Sequence, residues 1–199
     1  EEKIHPAIES YKNDEIIIEN KHFKKIEEID LNAEEVEFEK CIFTDCKITG
    51  SFEKATFHDV IFERCDFSNC LFMEGSFIRV EIKDSKFVGC NFTDSRVYHL
   101  ASNNTVYEYA NFSNTNLEEV IFENCNLSSS SFSECKVKNI YFETSELIQA
   151  QFFRTKLKSI DLSTCEINGI VTSLQDIEGV IVNNFQAIEL SKLMGIIIK

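Results

Sequence analysis

Hydrophobic side chains recur at every fifth residue over most of this chain. From Phe52 the series runs Phe57, Phe62, Phe67, Phe72, Phe77, Ile82, Phe87, Phe92 and Val97, and after Ser102 and Tyr107 it resumes at Phe112. It continues through Leu117, Phe122, Leu127, Phe132, Val137, Phe142, Leu147, Phe152, Leu157, Leu162 and Ile167, and closes with Thr172, Ile177 and Val182. Of these 27 positions only Ser102 and Thr172 are not hydrophobic, where a 43% hydrophobic composition would give about 12 by chance. A second register lies two residues earlier and holds small or β-branched residues: Ala55, Val60, Cys65, Cys70, Gly75, Val80, Ser85, Cys90, and later Ala110, Thr115, Val120, Cys125, Ser130 and Cys135. Such residues fit beside a large one in a tight interior layer.

Neither a helix, with its period of 3.6, nor a half-buried strand, with its period of 2, produces this spacing. Two inward side chains in every five, with polar residues between them, require a bend in each pentad. A chain that bends at every pentad coils, and stacked coils bury successive layers that no single coil buries alone. The bends need few glycines where Asn, Asp and Ser supply the turns, as in Cys90–Asn91–Phe92–Thr93–Asp94 and Ala110–Asn111–Phe112–Ser113–Asn114. The expected fold is therefore an all-β solenoid.

The period also decides the cysteines. All eight fall two residues before a core position, including Cys41, Cys46 and Cys165, and no metal-type Cys-x-x-Cys spacing occurs. They read as small interior hydrophobes. His5, His22, His58 and His99 share no spacing, and no phosphate loop or nucleophile elbow is present. No catalytic, cofactor or metal site is expected, and the chain reads as a binding protein.

Two stretches break the pattern. Phe43 and Phe52 are nine residues apart instead of ten, so residues 44–50 (TDCKITG) cannot keep the register. Residues 98–109 (YHLASNNTVYEY) keep the count, but put Leu100 at a small-residue position and Ser102 at a core position. Both are expected to leave the coil as loops that bind a partner. The candidate contacts are Asp45, Lys47 and Thr49 in the first, and Tyr98, His99, Leu100, Asn103, Asn104, Tyr107 and Tyr109 in the second. Residues 1–35 fit the register poorly and are expected to form an N-terminal segment with an incomplete first coil, leaving residues 36–182 as the solenoid. Residues 183–199 change character: Asn184 can cap a helix ending at Gly195. Its two apolar faces call for two partners, the open solenoid end and a second protomer, with Phe185, Ile188, Leu190, Leu193, Met194 and Ile197 as candidate dimer contacts.

The formal net charge is −14, from 34 acidic and 20 basic residues. That disfavours direct binding to nucleic acid or to an anionic membrane. No apolar run approaches a membrane span and no basic-then-apolar leader opens the sequence, so a cytoplasmic chain is expected. Half of the excess precedes residue 41, where 13 acids face 6 bases. With four pentads per coil, Glu74, Asp94 and Glu134 would share an outer column, while Lys136, Lys138, Lys156 and Lys158 would form a basic cluster.

The repeated unit (a small residue, Asp or Asn, Leu or Phe, then two polar residues) resembles the pentapeptide-repeat family over residues 36–182. The resemblance implies a right-handed quadrilateral β-helix with four pentads per coil, about seven coils and a rod roughly 35 Å long at ~4.8 Å per coil. Residues 176–196 (DIEGVIVNNFQAIELSKLMGI), with Ser113–Asn114–Thr115–Asn116–Leu117, are similar to the quinolone-resistance (Qnr-type) members. That narrower resemblance implies two projecting loops, a C-terminal dimerisation helix, and binding to DNA gyrase or topoisomerase IV with protection from fluoroquinolones by a DNA-mimicking acidic dimer. A pentapeptide-repeat scaffold with a different protein partner is the alternative reading.

Overall fold

A computed structural model describes Ile4 and residues 16–197. The bend required in each pentad lies two residues after the large inward position through most of the coil. There, 27 non-glycine residues among those described take a left-handed φ, including Lys54 (57°), Asp59 (57°) and Arg64 (52°). Eleven of the 27 are Asn or Asp, the L-residues that tolerate this conformation best. This accounts for the low glycine content of so bent a chain.

Four bends close one coil. The short strands are β1 (Ile17–Glu19), β2 (His22–Lys24), β3 (Glu27–Asn32), β4 (Glu37–Glu39), β5 (Ile42–Thr44), β6 (Lys47–Ser51), β7 (Thr56–His58) and β8 (Ile61–Glu63). Four longer strands follow, each running through a corner: β9 (Ser76–Lys83), β10 (Arg96–Asn103), β11 (Asn116–Glu123) and β12 (Lys136–Glu143). All pairings are parallel. One face stacks β1, β4, β7, β9, β10, β11 and β12 in order. Arg96 lies between Ser76 and Asn116, a twenty-residue step that settles four pentads per coil. The other faces continue the same step through single bridges such as Asp66 to Lys86 to Val106 and Leu71 to Asn91 to Asn111.

Inside, residues twenty apart stack. Phe52, Phe72, Phe92, Phe112, Phe132 and Phe152 form an unbroken column of rings, with successive centroids 4.7 to 5.2 Å apart. That spacing is the strand separation itself, so the backbone ladder and the aromatic column reinforce each other. The small-residue register does more than save space. The Cys90 thiol donates to the Phe67 carbonyl at 3.0 Å and Cys135 to Phe112 at 2.9 Å, as the Ser95 and Thr115 hydroxyls do to Phe72 and Phe92 at 2.8 Å. Cys, Ser and Thr are therefore interchangeable donors to carbonyls of the preceding coil. Burial pushes the Cys70 and Cys135 thiols up to about 12, which removes them from thiolate chemistry.

The coil begins earlier than residue 36. β1 pairs with β4 in full register, so residues 17–35 already belong to the solenoid. The period is hidden there because volumes are exchanged between the two registers. Ile26 and Leu31 occupy small-residue positions, while Glu28 and Ala33 occupy large ones. The Glu28 carboxylate accepts the amide of Ile4 at 2.8 Å.

Both expected loops are absent, and the chain stays in the coil. Residues 98–109 enter through β10, which pairs with β9 and β11 without a shift. Residues 44–50 are carried by β5 and β6, with Thr44 and Ile48 buried. The missing residue is absorbed between β3 and β6, where the register shifts between Glu28 and Leu31. Gly50, at φ 144°, makes the shift possible: a Cβ there would lie 2.0 Å from the Leu31 carbonyl oxygen.

Candidate interaction surfaces

With no loops, the partner-facing chemistry must lie on the outer columns and the ends of the rod. Each outer column repeats at about twenty residues, so charges pair vertically between neighbouring coils. Arg64 Nε donates to Asp45 at 2.7 Å and Arg79 Nε to Asp59 at 2.6 Å, while Lys54 lies 3.4 Å from Glu35. The hydrogen bond from Arg64 holds the Asp45 carboxyl below its usual range, and that from Arg79 does the same for Asp59. These exposed pairs contribute little each, but they neutralise charge along the bends.

The residues expected in the first loop are thus tied to the coil. Asp45 is paired as above, Lys47 donates its amide to the Ile26 carbonyl at 2.7 Å, and the Thr49 hydroxyl accepts the Asp30 amide at 3.3 Å. Those of the second divide. Leu100 and Tyr107 are interior. Asn103 donates to Glu123 at 2.7 Å and Asn104 to Asp84 at 2.5 Å, so both serve the column pairing. Tyr98 and His99 are outward, with ring centroids 4.0 Å apart, and Tyr109 is outward in a separate column.

Glu74, Asp94 and Glu134 do share one column, because each donates its amide to the coil above at equivalent positions, Thr93, Ser113 and Phe153. Asn114 interrupts the column, and Arg154 meets Glu134 at 3.3 Å. The column is mixed and not an anionic stripe.

The C-terminal end is closed by helix α1 (Asn184–Ser191), followed by a 3-10 turn over Lys192–Met194 and Gly195 at φ 73°. The cap is Asn183, not Asn184. Its side chain accepts the Gln186 amide at 3.0 Å while Gln186 Oε1 accepts the Asn183 amide at 2.8 Å, a reciprocal capping box. Gln186 Nε2 also donates to the Leu162 and Cys165 carbonyls at 2.6 and 2.7 Å, satisfying groups of the last coil. The pattern Asn-x-x-Gln carried this signal, which an apolar-face reading of the helix overlooks. Leu190 is buried and Leu193 packs against the core, so these two cover the rod and not a partner. Phe185 (83% exposed), Ile188, Met194 and Ile197 face outward.

A family model for the pentapeptide repeat region matches residues 101–172. A search of curated proteins finds no match. Among solved structures, a trypsin-treated form of QnrB1, a plasmid-mediated fluoroquinolone resistance protein, aligns with a TM-score of 0.51 at 20% identity, over 92% of this chain and 99% of the other. HetL, a pentapeptide repeat protein involved in heterocyst differentiation regulation from the cyanobacterium Nostoc, aligns with a TM-score of 0.40 at 8% identity, over 85% and 90% of the two chains. Rfr23 from the cyanobacterium Cyanothece aligns at 0.20 and 11%, over 84% and 88%. At 20% identity the likeness to QnrB1 concerns the fold alone. The five-residue period and the twenty-residue coil agree with the family match over residues 101–172, and the chain is similar in fold to QnrB1, with a stretch that matches the pentapeptide repeat region.

Proposed function

We propose that this protein is a non-enzymatic binding protein that dimerises through its C-terminal helix and engages DNA gyrase or topoisomerase IV, protecting the enzyme from fluoroquinolones in the cytoplasm. The observation that carries this reading is the outward apolar set Phe185, Ile188, Met194 and Ile197 at the end of an acidic rod. Exposed hydrophobic groups clustered at one end mark an interface, and a two-fold dimer formed there doubles the rod's length. The fold likeness to QnrB1 over nearly the whole chain supports the choice of partner. Purified protein added to a gyrase supercoiling reaction should restore supercoiling in the presence of a fluoroquinolone. Failure at every protein concentration rejects the reading. Phe185→Asp with Ile188→Asp should halve the mass measured by light scattering without lowering the melting temperature.

The unbroken coil and the mixed columns favour a second reading, a scaffold with another protein partner. Capture of a reproducible partner other than a topoisomerase subunit, with no rescue in the supercoiling assay, selects it.

A further inference from the structure

The backbone ladder of the solenoid opens on one side. Through most of the rod each coil donates to both neighbours, and two faces remain closed at the C-terminal end. Phe132 and Glu134 donate to the Gln151 and Phe153 carbonyls, and Leu147 and Gln149 to those of Glu166 and Asn168. Between them, no backbone hydrogen bond joins residues 136–143 to residues 156–163, and β12 is the last strand of its face. The ladder resumes one level higher, where Leu157 and Ser159 donate to the Asp176 and Gly179 carbonyls. The seam is therefore one missing level, flanked by closed corners.

A groove of roughly 520 Å³ lies along it. Its floor is apolar: Val137, an inward position of the repeat, is only half-buried here, beside Ile140 and Ile160. Its rim is basic, with Lys136, Arg154, Lys156 and Lys158. Arg154 is held by Glu134 and Lys156 by Asp176 at 3.1 Å, whereas Lys136 and Lys158 have no ion-pair partner among the described residues. In a chain of net charge −14, this concentration of cations is a local reversal of sign.

We propose that this seam is a docking site for an extended acidic peptide of a partner protein, which adds to the open edge of β12 as a strand. A strand edge offers N–H and C=O groups in alternation, and a peptide backbone satisfies both kinds. A phosphate chain supplies acceptors only. The free edge spans the eight residues of β12 and turns a corner at Asn139 (φ 54°), so the incoming strand follows it along two short segments. Alternation along the incoming strand puts apolar side chains on Val137 and acidic ones on Lys136 and Lys158. The inference rests on the coil geometry and stands whether or not the partner is a topoisomerase.

The test uses the full chain and a fluorescein-labelled peptide alternating Asp and Val over six residues, read by fluorescence anisotropy and by hydrogen exchange of the protein. The expected result is saturable binding, weakened at least tenfold in the Lys136→Glu/Lys158→Glu variant, with amides of residues 137–142 slowed more than tenfold by the peptide. A peptide N-methylated on its valines should lose binding. Both substituted lysines are exposed, and circular dichroism checks that the variant keeps its fold. Absence of binding overturns the proposal, as does equal binding of the N-methylated peptide. Tighter binding of oligo-deoxythymidine with no change in amide exchange also overturns it, because charge alone would then explain the groove.

Discussion

The hydroxyls of Ser102 and Tyr107 lie 2.9 Å apart inside the core, five residues apart in sequence and in adjacent columns of one coil. Ser102 occupies a position held by Ile82 in the coil below and Phe122 in the coil above. The space a large side chain would fill there receives the phenol of Tyr107, which is 1% exposed. Ser102, one of the two exceptions to the hydrophobic series, is thus compensated by its neighbour Tyr107. Burial keeps the Tyr107 phenol protonated far above its ordinary range. Ser102→Ala should cost about 1–3 kcal/mol, since it leaves a buried hydroxyl unpaired. Tyr107→Phe should cost less, because the Cys125 thiol stays within 3.6 Å of the serine oxygen. The double variant should recover most of the loss, giving a coupling of about 1 kcal/mol in urea unfolding. Additive losses would refute the pairing.

That pair also shows where sequence reading stops. The period of five carried the fold, because the inward large position and the inward small position are both written in residue type. It failed at residues 98–109 for a physical reason: hydrophobicity scores Ser102 and Tyr107 separately, while packing requires only that their volumes and hydrogen bonds match. It failed at residues 17–35 for a similar reason, since Leu31 and Ala33 exchange sizes without changing the layer. The corner columns were legible in part. Asn and Asp recur two residues after the core position, but Arg, Glu and Tyr109 take the same backbone, so residue type alone could not reveal the rule. The basic cluster near the C-terminal end was visible from the lysine spacing. The seam beneath it was not, because a missing ladder level leaves the five-residue count unchanged.

The Gly50 corner cannot hold a side chain. A Cβ would meet the Leu31 carbonyl oxygen at 2.0 Å, its nitrogen at 2.6 Å and its carbonyl carbon at 2.8 Å, all backbone atoms with no freedom to yield. Gly50→Ala should therefore destabilise by about 3 kcal/mol or more, seen as a fall of about 10 °C in melting temperature. Inserting one residue between Thr49 and Gly50 restores the twenty-residue coil and should rescue much of that loss in the Gly50→Ala background. An alanine variant as stable as the parent would refute the account of the register shift.

Among the described residues, Thr144 is the β-branched one at a left-handed corner, at φ 49°. Left-handed backbone costs an L-residue about 1–2 kcal/mol, and Asn bears less of that cost than a β-branched side chain. Thr144→Asn should raise stability by about 0.5–1 kcal/mol, measured as a higher urea midpoint at unchanged slope. The Thr144 amide, which donates to the Thr164 hydroxyl at 3.2 Å, is preserved in the variant. A lower midpoint would show that the threonine side chain contributes more than its backbone costs.

Asp176 ties the last coils together and ends the seam. Its Oδ2 accepts the Ser173 hydroxyl at 2.7 Å and the Arg154 amide at 3.0 Å, and the Lys156 ammonium lies 3.1 Å from Oδ1. Burial pushes this carboxyl up, but the Ser173, Lys156 and Arg154 donors outweigh it and hold the group below its ordinary value. A carboxyl lowered in the folded state contributes stability above its unfolded pKa, about 3.9, and loses it as pH falls through the folded value. The melting temperature should therefore drop between about pH 5 and pH 2, and Asp176→Asn should flatten that part of the profile. At pH 7 the asparagine variant should lose about 1 kcal/mol, since it still accepts from Ser173 and Arg154 and the ion pair to exposed Lys156 is screened. Asp176→Ala should lose about 2–3 kcal/mol by orphaning the Arg154 amide. An acid limb of the same slope in the asparagine variant would assign the pH dependence to other carboxylates.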